Sequence, residues 1–401
     1  MRGRDPHEAH RTATPLELLF DLTFVIAFSQ ASAQAAHYFE LGHTSTAVIG
    51  FVFGIFAVTW AWINFSWLAS AYDTDDVFFR IATFVEMIGV IIMALGLPAF
   101  FHSLDEGHHV DNGILIAGYV VMRIATISLW LRAAKDDPAR RAVCLSYATG
   151  IAIVQVGWIV AIIANPPPWL ALALMAVLGI LEMLVPAIAE RRGPNTPWHP
   201  HHIAERYQLL VIITLGEVIL GTVLAVSSVV EESGWTLEAA MLAFGGTLLA
   251  FTMWWSYFVL PSARLLGRFP ERSFIWGYLH IGLFGAVAAV GAGLHVAAYA
   301  IEGKAHVDDV YVALTIAIPV VLFTILMFGI NDLMTRTIDG LHLGVTAGVI
   351  AIAAAGVALA ATDVHLAWSV LVIAVSPIVI VLAYELGGHR RTAATLATHG
   401  V

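Results

Sequence analysis

The groups in this chain best placed to do chemistry are ionisable side chains set inside long apolar runs. One run reads His201-His-Ile-Ala-Glu205-Arg206-Tyr-Gln-Leu-Leu-Val-Ile-Ile-Thr214-Leu-Gly216-Glu217-Val-Ile-Leu220. It opens with histidines and a Glu205–Arg206 pair, turns apolar, and then carries a lone carboxylate. Glu217 lies about a dozen residues in, which at about 1.5 Å per helical residue is close to a bilayer midplane. A carboxylate at that depth costs about 3 kcal/mol on insertion scales, so it is a functional-site hypothesis by default. Thr214, Glu217 and Gly221 fall on one helix face, a small and polar stripe expected to point into a bundle. Two readings follow for Glu217: a protonated acid giving one hydrogen bond to a backbone carbonyl, or a group that handles protons or cations.

A second set lies near the start of the chain. Thr14-Pro15-Leu16-Glu17 reads as a helix start, with Thr14 as N-cap and Glu17 closing a capping box. Asp21 follows one turn later on the same face, and two carboxylates so spaced repel. At least one of them needs a proton, a cation or a basic partner. Thr23, Gln30, Gln34 and His37 gather on the opposite face. Polar groups on both sides predict a central helix, with Gln30 serving either as an interhelical hydrogen bond or as part of a polar pathway.

Arg123 sits about ten residues from either end of its own apolar run and cannot deprotonate, so it needs a partner. The candidates are Asp21, Glu86, Glu182 and Glu217. Asp21 or Glu86 is favoured, because both lie on the cytoplasmic side of the midplane, within reach of a long arginine stem. Such a pair would be ion-pair glue for the bundle or an anion- or substrate-binding group. Four buried carboxyls would then face one buried guanidinium, with His280 able to add one charge. The excess must be protonated or bind cations.

His199, His201, His202 and Glu205 cluster at the mouth of the Glu217 run, and His201 and Glu205 are one turn apart. No third ligand stands at a fixed spacing, so no metal site is expected. His202, Glu205 and Arg206 read, with Glu17, as capping or gating groups. The single cysteine, Cys144, excludes a disulfide within the chain and any multi-cysteine metal site. There is no phosphate-binding glycine loop, nucleophile elbow or zinc-protease motif, so the expectation is no cofactor, no enzyme and no nucleic-acid partner.

The elements that must position these groups follow from composition. The chain of 401 residues is 59% hydrophobic and 12% charged, and its mean hydropathy is +0.84. Soluble domains carry about 25% charged residues. Apolar runs near the length of a bilayer span recur from end to end, predicting an all-α polytopic membrane protein whose first partner is the lipid bilayer. Twelve spans are expected, at about 15–37, 45–71, 79–101, 113–133, 142–164, 168–190, 204–229, 236–260, 274–300, 309–330, 340–361 and 366–386. Arg2, Arg4 and Arg11 precede the first run, which is long enough to span and reads as a transmembrane helix, not a leader. Of the 19 lysines and arginines, only Lys304 and Arg123 fall away from one side of this drawing. The positive-inside rule then puts both termini in the cytoplasm of a bacterial inner membrane.

The halves are expected to be parallel repeats, 15–190 and 204–386, joined by a linker at 191–203 and flanked by tails 1–14 and 387–401. Glu17 answers Glu205, Trp60 and Trp62 answer Trp254 and Trp255, and Glu86 answers His280. Pro319 and Pro377 fall mid-span, where they kink or break a helix.

These residues carry a family resemblance. Thr14-Pro-Leu-Glu-Leu-Leu-Phe-Asp-Leu-Thr-Phe-Val-Ile-Ala-Phe28 resembles the N-terminal signature of the bacterial low-temperature-requirement A family. His202-Ile-Ala-Glu-Arg-Tyr-Gln-Leu-Leu-Val-Ile-Ile-Thr-Leu-Gly-Glu217 is similar to its second signature, with Gln208 where glycine is usual. The resemblance implies an integral membrane protein and supplies no settled biochemical activity. The residues themselves point to transport of a small solute or ion coupled to protons or cations. Alternatives are an ion channel of two six-span repeats, an intramembrane enzyme acting on lipid, and a membrane partner with no substrate. Potassium channels with Phe-Ser-Asp in the first span are one comparison, but Phe20-Asp21 lacks the serine.

Overall fold

A bilayer offers backbone groups no water, so each spanning segment must close its own hydrogen bonds, and the apolar runs become helices. The structure, a computed structural model, describes residues 1–6, 8 and 11–398. Among these residues there is no strand, and 12 helices are long and apolar enough to cross a membrane.

The chain divides into two compact units, Met1–Ala31 with Phe53–Arg206, and Ser32–Val52 with Tyr207–Val401. Helices α1 (Pro15–Glu40), α2 (Thr44–Tyr72) and α7 (Pro200–Ser233) contribute residues to both. Unit 1 also holds α3 (Val77–Glu106), α4 (Gly113–Asp136), α5 (Arg141–Ala164) and α6 (Pro168–Ala189), each packed along the next. Lipid gives apolar helices little reason to associate, so close backbone approach through small residues does the work. A methyl group at Gly89 of α3 would lie 2.7 Å from the Gly118 carbonyl oxygen of α4, so these two backbones touch. In the α5–α6 seam, methyls at Gly150 and Gly157 would lie 2.8 Å from Val185 and 2.7 Å from Leu178.

Unit 2 holds α8 (Leu237–Phe258), the short α9 (Ser262–Arg268), α10 (Ser273–Ile301), α11 (Asp309–Thr335), α12 (Gly340–Ala360), α13 (Leu366–Val375), α14 (Ile378–Ala383) and α15 (His389–Thr398). Here α10 packs along α11, α11 along α12, α12 along α13, and α13 along α8. The ends are set by local chemistry. Asp76 accepts from the Phe79 amide at 3.0 Å to cap α3, and Asp308 accepts from Tyr311 at 2.8 Å to cap α11. The two mid-span prolines behave differently. Pro319 lies inside an unbroken α11, whereas Pro377 separates α13 from α14.

The expectation that α1 is central is corrected. Leu19, Leu22 and Ile26 are 50%, 59% and 52% exposed, while Phe20, Phe24 and Phe28 are fully buried. One flank therefore faces outward as an apolar, lipid-compatible stripe. The polar residues that suggested otherwise do not require burial. Thr23 donates to its own Phe20 carbonyl at 2.7 Å, and the exposed His37 pairs with Glu40 at 2.9 Å.

Candidate functional site: two buried ion networks and a glycine seam

The capping box at the head of α1 forms as expected: the Thr14 amide donates to Glu17 Oε2 at 2.8 Å, and the Glu17 amide to Thr14 Oγ1 at 3.3 Å. The cap is only part of what Glu17 does. Arg206 Nη1 donates to Glu17 Oε1 at 2.7 Å, and the same guanidinium donates to both oxygens of Asp21, at 2.5 and 3.2 Å. His202 Nε2 lies 3.2 Å from Glu17, and the Trp62 indole donates to Asp21 at 2.7 Å. The carboxylates and the guanidinium are buried. One guanidinium thus resolves the repulsion between two carboxylates one turn apart, using the forked geometry that arginine alone offers. The residues come from both signature stretches, so those stretches meet in one network.

The flanking groups tie the chain down without converging on a metal. The Ala13 amide donates to Glu205 Oε2 at 3.3 Å, and His201 lies 3.3 Å from the Arg11 carbonyl. His199 bonds the Glu8 carbonyl at 2.8 Å. Arg11 donates to the Ala69 carbonyl at 2.8 Å and to that of Ser70, closing the C-terminal end of α2. Burial lowers the Arg11 guanidinium to about 10, and burial also raises the neighbouring Asp73 carboxyl. Among the described residues no group of three or more His, Cys, Asp or Glu is placed to hold a metal ion.

The second network lies in the same unit. Arg123 Nη2 donates to Glu182 Oε2 at 3.2 Å and to the Tyr119 hydroxyl, and its guanidinium sits 4.4 Å above the Tyr119 ring. Trp60 donates to the same Glu182 oxygen at 3.2 Å. The expectation that Asp21 or Glu86 would partner Arg123 is therefore corrected. Asp21 is already occupied by Arg206 and Trp62, and Glu86 accepts at 2.9 Å from the Thr126 hydroxyl. The count of one buried guanidinium against four carboxyls is corrected too, because Arg206 is also fully buried.

Unit 2 arranges its buried groups differently. Glu217, 2% exposed, sits where α7 crosses α10. A methyl at Gly291 of α10 would lie 2.7 Å from the Glu217 backbone and Cβ, and one at Gly221 would lie 2.7 Å from the Gly291 carbonyl oxygen and 3.0 Å from the His295 ring. The Thr214–Glu217–Gly221 stripe does face the helix bundle. Thr214 spends its hydroxyl on its own helix, at 3.1 and 3.0 Å from the Leu210 and Val211 carbonyls. His295 is buried, and its Nε2 has no hydrogen-bond partner among the described residues. His280 is fully engaged: Nδ1 reaches the Trp276 carbonyl at 2.7 Å and Nε2 the Tyr257 hydroxyl at 2.9 Å. A carbonyl only accepts, so Nδ1 carries the proton and the pattern suits a neutral core imidazole. Gln30 is half-buried and joins neither network.

Sequence reasoning passed over Trp60, Trp62, Tyr119 and Thr126 as donors, and His295 altogether. For the tryptophans a signal existed: an indole N–H can only donate, and both fall in an apolar run beside helices rich in buried acids.

Twelve helices among the described residues that are long and apolar enough to span a bilayer, with Arg–carboxylate pairs buried in unit 1, define a multi-pass integral membrane protein. The chain belongs to the family of the bacterial low temperature requirement A protein (LtrA), which it matches over residues 12–377. It is also similar to an uncharacterized protein of Rhizobium meliloti (strain 1021), 29% identical over 293 residues, which cover 69% of this chain and 67% of that protein.

Proposed function

We infer that this protein is a carrier of the bacterial inner membrane, with both termini cytoplasmic, that moves a small solute or ion coupled to protons or cations. The observation that supports this reading best is the α7–α10 seam. It holds two buried titratable side chains, Glu217 and His295, one helical turn apart in register, and only glycine separates the two backbones there. A carboxyl and an imidazole so placed can take a proton and pass it on, and a seam built on glycine lets one helix shift against the other with little steric resistance. The lopsided arginine distribution supports the orientation.

The test is flux in proteoliposomes over a panel of small solutes and ions, from acid to alkaline pH, for the parent, Glu217→Gln and Glu217→Leu. Gln keeps shape and hydrogen bonding but cannot titrate. A coupled carrier shows uphill flux that Glu217→Gln abolishes or makes independent of pH while the protein stays folded. Fast flux that only follows the gradient would replace this reading with a channel. Unchanged pH dependence in Glu217→Gln would remove Glu217 from the mechanism.

A further inference from the structure

A cavity in unit 1 adjoins the Arg123–Glu182 network. It is lined by Phe56 of α2, Phe100 of α3, Leu115 and Tyr119 of α4, Trp158 of α5 and Met175 of α6. In this conformation it has space for a water-sized group. Tyr119 connects the two features, because its ring lines the cavity while its hydroxyl accepts from Arg123. Trp60, which donates to Glu182, stacks on Phe56 with ring centroids 6.3 Å apart.

Several buried polar groups of α4, α5 and α6 are unsatisfied; Trp158 belongs to the cavity lining, and Gln155, Arg123 and Glu182 stand outside it. The Trp158 indole N–H, both polar atoms of the Gln155 amide, Arg123 Nε and Glu182 Oε1 are all buried without a hydrogen-bond partner among the described residues. Gln155 belongs to this set by register. Tyr119 meets Trp158 edge-on at 6.4 Å, and Trp130 stacks on Tyr147 at 4.1 Å. That antiparallel register of α4 and α5 brings Gln155 to the level of Met122 and Arg123. Buried polar atoms are nearly always paired, and each one left unmade carries its full desolvation cost. Several concentrated beside one cavity are the mark of a site whose partner is not part of the protein.

We propose that this cavity, with Gln155, Trp158 and the Arg123–Glu182 pair, binds a small uncharged solute made of a short apolar body and a head that both donates and accepts hydrogen bonds, such as a primary amide. The aromatic walls take the body. Trp158 N–H and Arg123 Nε–H offer donors to the head, Glu182 Oε1 offers an acceptor, and Gln155 offers one of each. The head is uncharged because Arg123 and Glu182 already neutralise each other. A charged head would bring an uncompensated charge into a desolvated site, which is strongly unfavourable. The inference goes beyond the coupling role of Glu217 and is read by binding alone, so it stands or falls separately.

The test uses full-length protein in detergent with three probes of nearly equal shape: propionamide, propionate and propylammonium. The readout is the thermal unfolding midpoint as a function of probe concentration, since a ligand that binds only the native state raises it saturably. Propionamide is expected to do so, and the two ions are not. Trp158→Phe keeps the ring and removes the N–H, and Gln155→Leu removes the amide; each should weaken binding about tenfold, the worth of one hydrogen bond. Ala57→Leu, which fills the cavity from α2, should abolish binding without disturbing the ion pair. The proposal is overturned by the absence of any saturable shift, by an ion binding as well as the amide, or by an amide shift that persists unchanged in every variant that folds, which would be partition into detergent.

Discussion

The two units deal with most of their buried ionisable groups in different ways. In unit 1, Glu17 and Asp21 share Arg206, and Glu182 takes Arg123, guanidiniums that cannot lose their charge, while Glu86 accepts from the Thr126 hydroxyl instead. Unit 2 buries Glu217, His280 and His295, and among its described residues no arginine or lysine is buried. The contrast teaches that burial of an acid in a membrane helix is not by itself a sign of function. A guanidinium keeps its own charge across the ordinary pH range, and its pair with a carboxylate ties helices together. A carboxyl and an imidazole across a glycine seam can change charge, and such groups can follow a proton gradient.

The contrast can be broken most directly at Arg206. Arg206→Leu strands two carboxylates among apolar helices and should destabilise the protein by about 3–5 kcal/mol, measured by unfolding in detergent. A variant as stable as the parent would mean that the first network holds nothing together. Arg123→Leu strands one carboxylate and should cost about 3 kcal/mol, while Arg123→Leu with Glu182→Leu should recover most of that, because the pair leaves together. Failure of the double variant to recover would show that Tyr119 or Trp60 depends on the pair for its own position.

In unit 2 the corresponding change is steric. Gly291→Ala places a methyl against Glu217 and should cost about 2 kcal/mol through overpacking. An Ala variant of parental stability would make the seam looser than the contacts imply. The smallest effect is expected outside the spans. Asp76 accepts from Arg132 at 2.7 Å, and those hydrogen bonds hold its carboxyl well below the usual range. A depressed value stabilises the fold above the unfolded pKa of about 3.9 and is lost as pH falls through the folded value. Both side chains are partly exposed, so Asp76→Asn should cost under about 1 kcal/mol at neutral pH, and the difference should vanish in strong acid.

Most of the fold could be read from the residues because the bilayer demands it: a run of about 20 apolar residues has few options but a spanning helix. The last span is interrupted at Pro377, between α13 and α14, as a mid-span proline can do by removing a backbone donor. The candidate site was readable only in part. Two carboxylates one turn apart announce that a cation or proton is needed, but Arg206 lies 185 residues from Asp21, and its place at the mouth of an apolar run suggested a capping or gating role. Choosing among partners for Arg123 required knowing which helices adjoin α4, which no periodicity supplies. His295 sits among glycine, alanine and valine, and nothing local distinguishes it from packing. The unsatisfied Gln155 and Trp158 emerge only when their surroundings are seen.

The sharpest measurement of the difference between the units needs no substrate. Infrared difference spectra of the reconstituted protein, recorded as pH is stepped, report carboxylic-acid groups that gain or lose a proton. The expected result is a pH-dependent carboxylic-acid band that Glu217→Gln removes and Glu182→Gln leaves untouched. A band that survives in Glu217→Gln and disappears in Glu182→Gln would contradict it, placing the working proton in the network assigned here to structure.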